Sequence, residues 1–278
     1  MRLTHPDPSA GFTLVEMVVV LVLIGILAGL GVQFIRPAVD AYSATIKRAG
    51  LAENADLLAR RLERDLHAAL PNSIRTTSDG FALEFIPVAG GGLYRSSSKS
   101  GGGGDALRFD AADTSFDVLG PVPVYDTGQS LVITNLGSGS GADAYSGSNR
   151  SSISSTNGSD TLFSTDASPH VVSFGSKQFL VPSPDSRFHI VDAPVSYVCD
   201  MTAKTLKRYQ GYGWNAAQAS PPVGGTAATV SSMITACALK YSAGITSRTG
   251  LVTASLTLTN DTNESMDILV QVNVPNEP

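Results

Sequence analysis

The chain has 278 residues, with 42% hydrophobic content and a formal net charge of −5. That is enough for one anchor and one sizeable folded domain, and the acidic balance offers nothing to nucleic acid. Glycine (27) and proline (15) are frequent and serine and threonine abundant, which favours a β-rich body with many turns over an all-helical one.

Taken in chain order, Met1–Gly11 is a short polar leader, kept out of a helix by Pro6 and Pro8. Phe12–Ile35 is an apolar run with no Lys, Arg or Asp, and its one charge is Glu16. As a helix its roughly 24 residues reach about 36 Å, enough to cross a bilayer core of about 30 Å. A carboxylate so placed is costly in hydrocarbon and calls for a partner. Gly25 and Gly29 form a small-xxx-small pair suited to close helix packing, although such a pair also arises by chance in a membrane helix. A secretory signal fits poorly, because its apolar region is about 7–15 residues long and precedes its cleavage site.

Gly11-Phe-Thr-Leu-Val-Glu-Met17, with Ile24-Gly-Ile-Leu-Ala28 inside the apolar run, resembles the cleavage and methylation segment of type IV prepilins and pseudopilins. The resemblance implies a cut between Gly11 and Phe12 by a prepilin peptidase, N-methylation of Phe12 by the same enzyme, and an assembly role for Glu16. Cleavage frees an α-amino group with a reference pKa near 8, cationic at neutral pH, which a neighbour's Glu16 can pair at low dielectric. The alternative is a plain anchor with Glu16 at headgroup level.

Pro37 is expected to bend or locally open the helix, later than many pilins place a proline. Beyond it an amphipathic continuation runs to about Leu70, ended by Pro71-Asn72. Leu51, Ala55, Leu58, Leu62, Leu66 and Ala69 make one apolar stripe. It is expected to dock on the domain's own sheet, with a partner helix as the sharper alternative. Asp56–Arg60 and Arg61–Asp65 have i,i+4 ion-pair spacing.

The remaining residues, 72–278, read as β structure. Strands are expected at Phe81–Val88, Asp105–Asp110, Ser130–Leu136, His170–Phe174, Gln178–Val181 and Arg187–Val191. Hairpins are expected at Pro194–Cys199/Thr205–Tyr209 and Leu251–Thr259/Met266–Val274. Met233–Ser242 reads as strand or short helix. Gly90–Gly104, Gly137–Asp160 and Ala216–Thr226 read as loops. The fold class is α+β: a long N-terminal spine helix packed on a β-rich head.

Cys199 and Cys237, the only cysteines, lie outside the apolar run and suggest one disulfide in an oxidising compartment; two buried thiols are the alternative. A Lys/Arg count would put the C-terminal side in the cytoplasm, since Arg36, Lys47 and Arg48 follow the span. The disulfide and the prepilin resemblance outweigh it. They place the leader in the cytoplasm, one span in the bacterial inner membrane and the head in the periplasm, outside the cell after assembly.

Within that family, Leu58-Ala-Arg-Arg-Leu-Glu-Arg-Asp-Leu66, Ala69–Arg75, Gly141–Tyr145 with Asn149-Arg150, and Val191–Cys199 leading to Leu206–Tyr209 resemble the MshO-type minor pilins of the mannose-sensitive haemagglutinin pilus. The size and final strands also resemble J-type minor pseudopilins of type II secretion and W-type minor pilins. The resemblance implies a structural subunit, not an enzyme, that primes or caps a filament. Its partners would be the peptidase, other major and minor pilins, the inner-membrane assembly platform and the lipid bilayer. A secretion pseudopilin and a tip adhesin remain the alternatives.

Catalytic and metal patterns are weak, and no cofactor or metal is expected. Ser96-Ser-Ser-Lys99 fits S-x-x-K but lies in a Gly/Ser loop without a K-T-G triplet. His5, His67, His170 and His189 are scattered. Asp110, Asp113 and Asp117 offer oxygen ligands at a spacing that misses the EF-hand loop, and a solvated loop is the preferred reading. Tyr209, Tyr212 and Trp214 read as an aromatic cluster, packed in the core or facing a sugar or another pilin.

Overall fold

The computed structural model describes residues 11–100, 102–121, 123–126, 128–154, 170–244 and 249–276. Residues 1–10 of the leader, His5 among them, and the last part of the Gly137–Asp160 loop therefore lie outside the described residues. One helix, α1 (Leu14–His67), is followed by fourteen strands among the described residues, giving the expected α+β class. The chain divides into two compact units, residues 1–50 and 51–278.

In the first unit α1 runs on through Pro37 as an unbroken helix, so the expected opening does not occur. In the second unit the stripe behaves as periodicity dictates: Leu51, Ala55, Leu58, Leu62, Leu66 and Ala69 are all buried. The helix stops at His67, before Pro71. The N–H of Leu70 donates to Ile86 O (2.8 Å) and that of Val88 to Ala68 O (2.8 Å), so pairing with the 86–88 segment draws the chain out of the helix.

The stripe lies on a five-stranded antiparallel sheet in the order β1 (Arg75–Thr76), β2 (Ala82–Phe85), β9 (Val195–Asp200), β10 (Thr205–Gln210), β11 (Thr226–Ser231). Leu83, Phe85, Val195, Tyr197 and Leu206 supply its helix-facing side. A three-stranded sheet, β12 (Ile234–Ser242), β13 (Gly250–Thr259) and β14 (Ser265–Val274), completes the same core with Leu239, Val252, Leu256, Leu258 and Val272. β12 passes the turn ends of the first sheet: Ile234 N donates to Lys204 O (3.0 Å) and Leu239 N to Gly80 O (2.8 Å). The Cys199–Cys237 disulfide joins β9 to β12 along this path.

The third sheet runs β6 (Arg150–Ser152), β5 (Ser130–Val132), β8 (Arg187–Val191), β3 (Val88–Tyr94), β4 (Asp113–Leu119), β7 (Val171–Lys177). An isolated bridge, Ile153–Phe174, and the bond from Ser151 Oγ to Gly175 O (2.6 Å) tie its first strand to its last, so the sheet closes on itself. Its interior holds Tyr94, Phe116, Phe174, Phe179 and Phe188, with Phe116 and Phe188 edge-to-face at 5.2 Å.

Both expected hairpins form, and Asx chemistry explains the turns. Asp200 Oδ1 accepts from Ala203 N (2.9 Å), and Asn260 Oδ1 from Thr262 N (3.0 Å) and Glu264 N (2.9 Å). Several expectations need correction. Gly90–Gly92 belong to β3 rather than to a loop, because a Cβ at Gly91 would come within 2.7 Å of Phe188 O. Asp105–Asp110 is not a strand. Asp105 N and Arg108 N turn to side chains, Asp117 Oδ2 and Asp113 Oδ2, and Leu107 N donates to a backbone carbonyl, Arg95 O, so no ladder forms. Gln178–Val181 is irregular as well, although Phe179 is buried among the aromatic rings. The described part of Gly137–Asp160 is no surface loop: Ala144 and Tyr145 are buried against Leu70, Ile86, Val132 and Val191, and β6 follows. β1, β4, β6 and β11 had no counterpart among the expected strands.

Candidate functional site

The first unit carries the features that point outward. Gly11 and Phe12 precede the helix, and Thr13 caps it: its carbonyl accepts from Met17 N (3.2 Å) and its Oγ1 from Glu16 N (3.3 Å). Thr13-x-x-Glu16 is thus a capping-box sequence, and Glu16 also sits where the helix dipole favours a negative group. The cap role of Thr13 escaped the sequence reading, although the T-x-x-E spacing was there to signal it. It means that Thr13 caps the helix while Glu16, in the first turn, carries a carboxylate one turn from Phe12.

Every side chain from Gly11 to Leu30 is exposed, Phe12 at 78%, and the most apolar window of α1 has no burial. Soluble helices hide such a surface; this one is long and apolar enough to cross a membrane. A Cβ placed on Gly25 or Gly29 would meet nothing within 4 Å, so in the single chain that small-residue face is open.

In the second unit the conspicuous polar groups tie elements together. Asp65 Oδ2 accepts from Tyr197 Oη (2.8 Å) and Arg208 Nε (2.9 Å), fastening helix to sheet. The expected Arg61–Asp65 pairing is thereby replaced, whereas Arg60–Asp56 forms at 2.8 Å. Glu84, 1% exposed, accepts from Arg75 Nε (2.7 Å) and Tyr212 Oη (2.7 Å), while Ser196 Oγ shares a 2.7 Å bond with Tyr212. Burial, and then the Glu84 carboxylate, push the Tyr212 and Tyr145 hydroxyls upward, so both stay protonated donors. Arg75 also stacks 3.6 Å from the Tyr145 ring and donates to Ala216 O and Asn215 O. These bonds tie Tyr212, Asn215 and Ala216 to the sheet and engage both oxygens of Glu84 in structural contacts.

The expected aromatic cluster separates. Tyr212 is held by Glu84, Trp214 lies under Arg150 at 3.8 Å, and Tyr209 lines a surface groove with Phe81, Cys199 and Met201. The three aspartates do not converge either. Asp117 is buried in β4 and pairs with Arg95 (2.8 Å), Asp110 pairs with Arg108 (3.0 Å), and Asp113 accepts from Arg108 N and Thr114 N. The solvated-loop reading fails for Asp117. Among the described residues no group of three His, Cys, Asp or Glu is placed to hold a metal ion. His67 sits at the helix end 4.0 Å from Glu63, His170 precedes β7 and His189 lies in β8; burial pushes His189 down to about 4 and its Nε2 has no partner. Ser96–Lys99 lies in irregular chain between β3 and β4.

Residues 7–32 match the prokaryotic N-terminal methylation motif. No curated protein and no solved structure matches the chain. The match covers Gly11, Phe12, Glu16, Gly25 and Gly29 and supports a precursor of the type IV pilin or pseudopilin class. Proteins of that class are structural. The motif implies processing by prepilin peptidase and assembly with other pilins, and with the apolar helix it suggests membrane anchoring.

Proposed function

We propose that the chain is a minor type IV pilin of the MshO type, a non-catalytic subunit that primes or caps a filament. The observation that carries this reading is the continuity of the matched motif with an apolar helix whose side chains are all exposed up to Leu30. Prepilin peptidase cuts between Gly11 and Phe12 and methylates the new amine of Phe12. The amine keeps its positive charge and pairs with Glu16 of a neighbouring subunit, which sets the axial register. Gly25 and Gly29 admit the close approach of a second helix. Before assembly the leader faces the cytoplasm, the helix spans the inner membrane and the disulfide-bonded head sits in the periplasm. The assembly platform then extracts the subunit into the pilus.

Processing and assembly are separable in test. Gly11→Ala is expected to leave only the precursor band on a gel, and a normal mature band would contradict the assigned cut. Glu16→Val is expected to give mature protein that begins with N-methyl-Phe12 by mass spectrometry yet enters few fibres; wild-type fibre numbers would remove the pairing argument.

A further inference from the structure

β11 is the outer strand of its sheet, and among the described residues nothing pairs with its free edge. Thr226, Ala227, Ala228 and Thr229 are exposed, and the strand, Thr-Ala-Ala-Thr-Val-Ser, contains neither charge nor proline. Proteins normally blunt such edges with Lys, Pro, a bulge or a covering loop, because unpaired N–H and C=O groups template another strand. Here the one irregularity leaves Val230 of β11 as the extra residue opposite Leu206 and Lys207, and Thr226–Thr229 keep a regular ladder with β10 up to that point.

Beside this edge, between Val230 and α1, lies a groove of about 430 Å³ lined by Leu57, Leu58, Arg60, Arg61 and Arg64. Its lining combines the apolar Leu57, Leu58 and Val230 with three guanidiniums. Arg60 is partly neutralised by Asp56, and Arg64 reaches only to 3.7 Å from Asp65, whose other oxygen already serves Tyr197 and Arg208. Arg61 Nε is buried without a hydrogen-bond partner. A buried donor left unpaired is costly, and a carboxylate is the acceptor that fits a guanidinium best.

We propose that the β11 edge and this groove bind an extended, carboxylate-bearing segment of another protein subunit. The segment adds a strand to β11 and turns the acidic side chains of its helix-facing side onto Arg61 and Arg64. Backbone pairing supplies affinity, and the arginines select the sign of charge. This inference does not depend on the pilin reading, since it needs neither cleavage nor a fibre.

The test uses the full chain in neutral detergent micelles with fluorescein-labelled, end-blocked eight-residue probes read by anisotropy. The probes alternate Val-Glu, Val-Lys, or Val-Glu with alternate backbone nitrogens methylated. Binding of the Val-Glu probe alone is expected, weakening as salt rises and at least tenfold weaker in Arg61→Gln and in Arg64→Gln. The Arg64 side chain is 76% exposed, so that variant keeps the fold. No Val-Glu binding, or equal binding of the Val-Lys probe, overturns the proposal. Undiminished binding of the N-methylated probe, or full competition by inorganic phosphate, overturns strand addition and leaves an anion site only.

Discussion

Asp65→Ala should loosen the head where its helix meets the sheet. The substitution removes the acceptor of two charge-assisted bonds, Tyr197 Oη at 2.8 Å and Arg208 Nε at 2.9 Å, and the counter-charge nearest Arg64. Such bonds contribute about 1.5–3 kcal/mol each, and a wholly buried pair broken on one side costs about 3–5 kcal/mol. Asp65 and Arg208 keep 13% and 18% side-chain exposure, so water partly replaces what is lost. The expected cost is therefore about 2–4 kcal/mol by the same reasoning. It is read as a lowered urea midpoint of the full chain in detergent at unchanged slope. Arg208→Ala and the double variant complete a cycle, and a coupling of about 1–3 kcal/mol is expected for groups in direct contact. A loss under about 0.5 kcal/mol, in the range of exposed pairs, would refute the claim that this contact fastens helix to sheet.

Two further outcomes concern the head. His189 is held at about 4 in the folded chain against 6.5 for a free imidazole, chiefly by burial and secondarily by Arg187. The unfolded chain therefore binds the extra proton first. Stability contributed by neutral His189 is full above pH 6.5, falls as pH drops and levels off near 4, a change of about 3 kcal/mol. Denaturation at stepped pH should show that slope in the native chain and its loss in His189→Gln. Reduction of Cys199–Cys237, which closes 38 positions of chain, should cost about 4 kcal/mol in the loop-entropy account. Urea curves with and without dithiothreitol measure it, and Cys237→Ser should match the reduced protein.

What could be read from the sequence was what repeats or pairs locally. The stripe from Leu51 to Ala69 shows itself by spacing, and the two hairpins by alternating runs around Asp200–Lys204 and Asn260–Glu264. The methylation motif is a contiguous string. The failures share a different cause: the deciding contact is distant in sequence. Gly90–Gly92 looked like linker because glycine disfavours strands, yet the approach of Phe188 from β8 excludes any larger residue there. Tyr145 sat in a Ser/Gly-rich stretch, and nothing local signals that its hydroxyl reaches Ser73 O at 2.7 Å. Phe179 imitates a strand residue because its ring is buried, while its backbone never joins a ladder. The carboxylates misled in both directions. Asp117 had the look of a loop ligand and proved a buried partner for Arg95; Asp65 was assigned to its own helix and reaches across to the sheet.

The burial of Leu51, Ala55, Leu58, Leu62 and Leu66 bears on how this polypeptide tolerates being cut. Those side chains are half of an interior whose other half hangs on strands running from Leu83 and Phe85 to Val272, so neither portion has a finished inside alone. A protease nick or an expression start placed before Leu51 spares that interior. The same break a few turns further on strips it, and the remaining strands would be left with a greasy trench open to water.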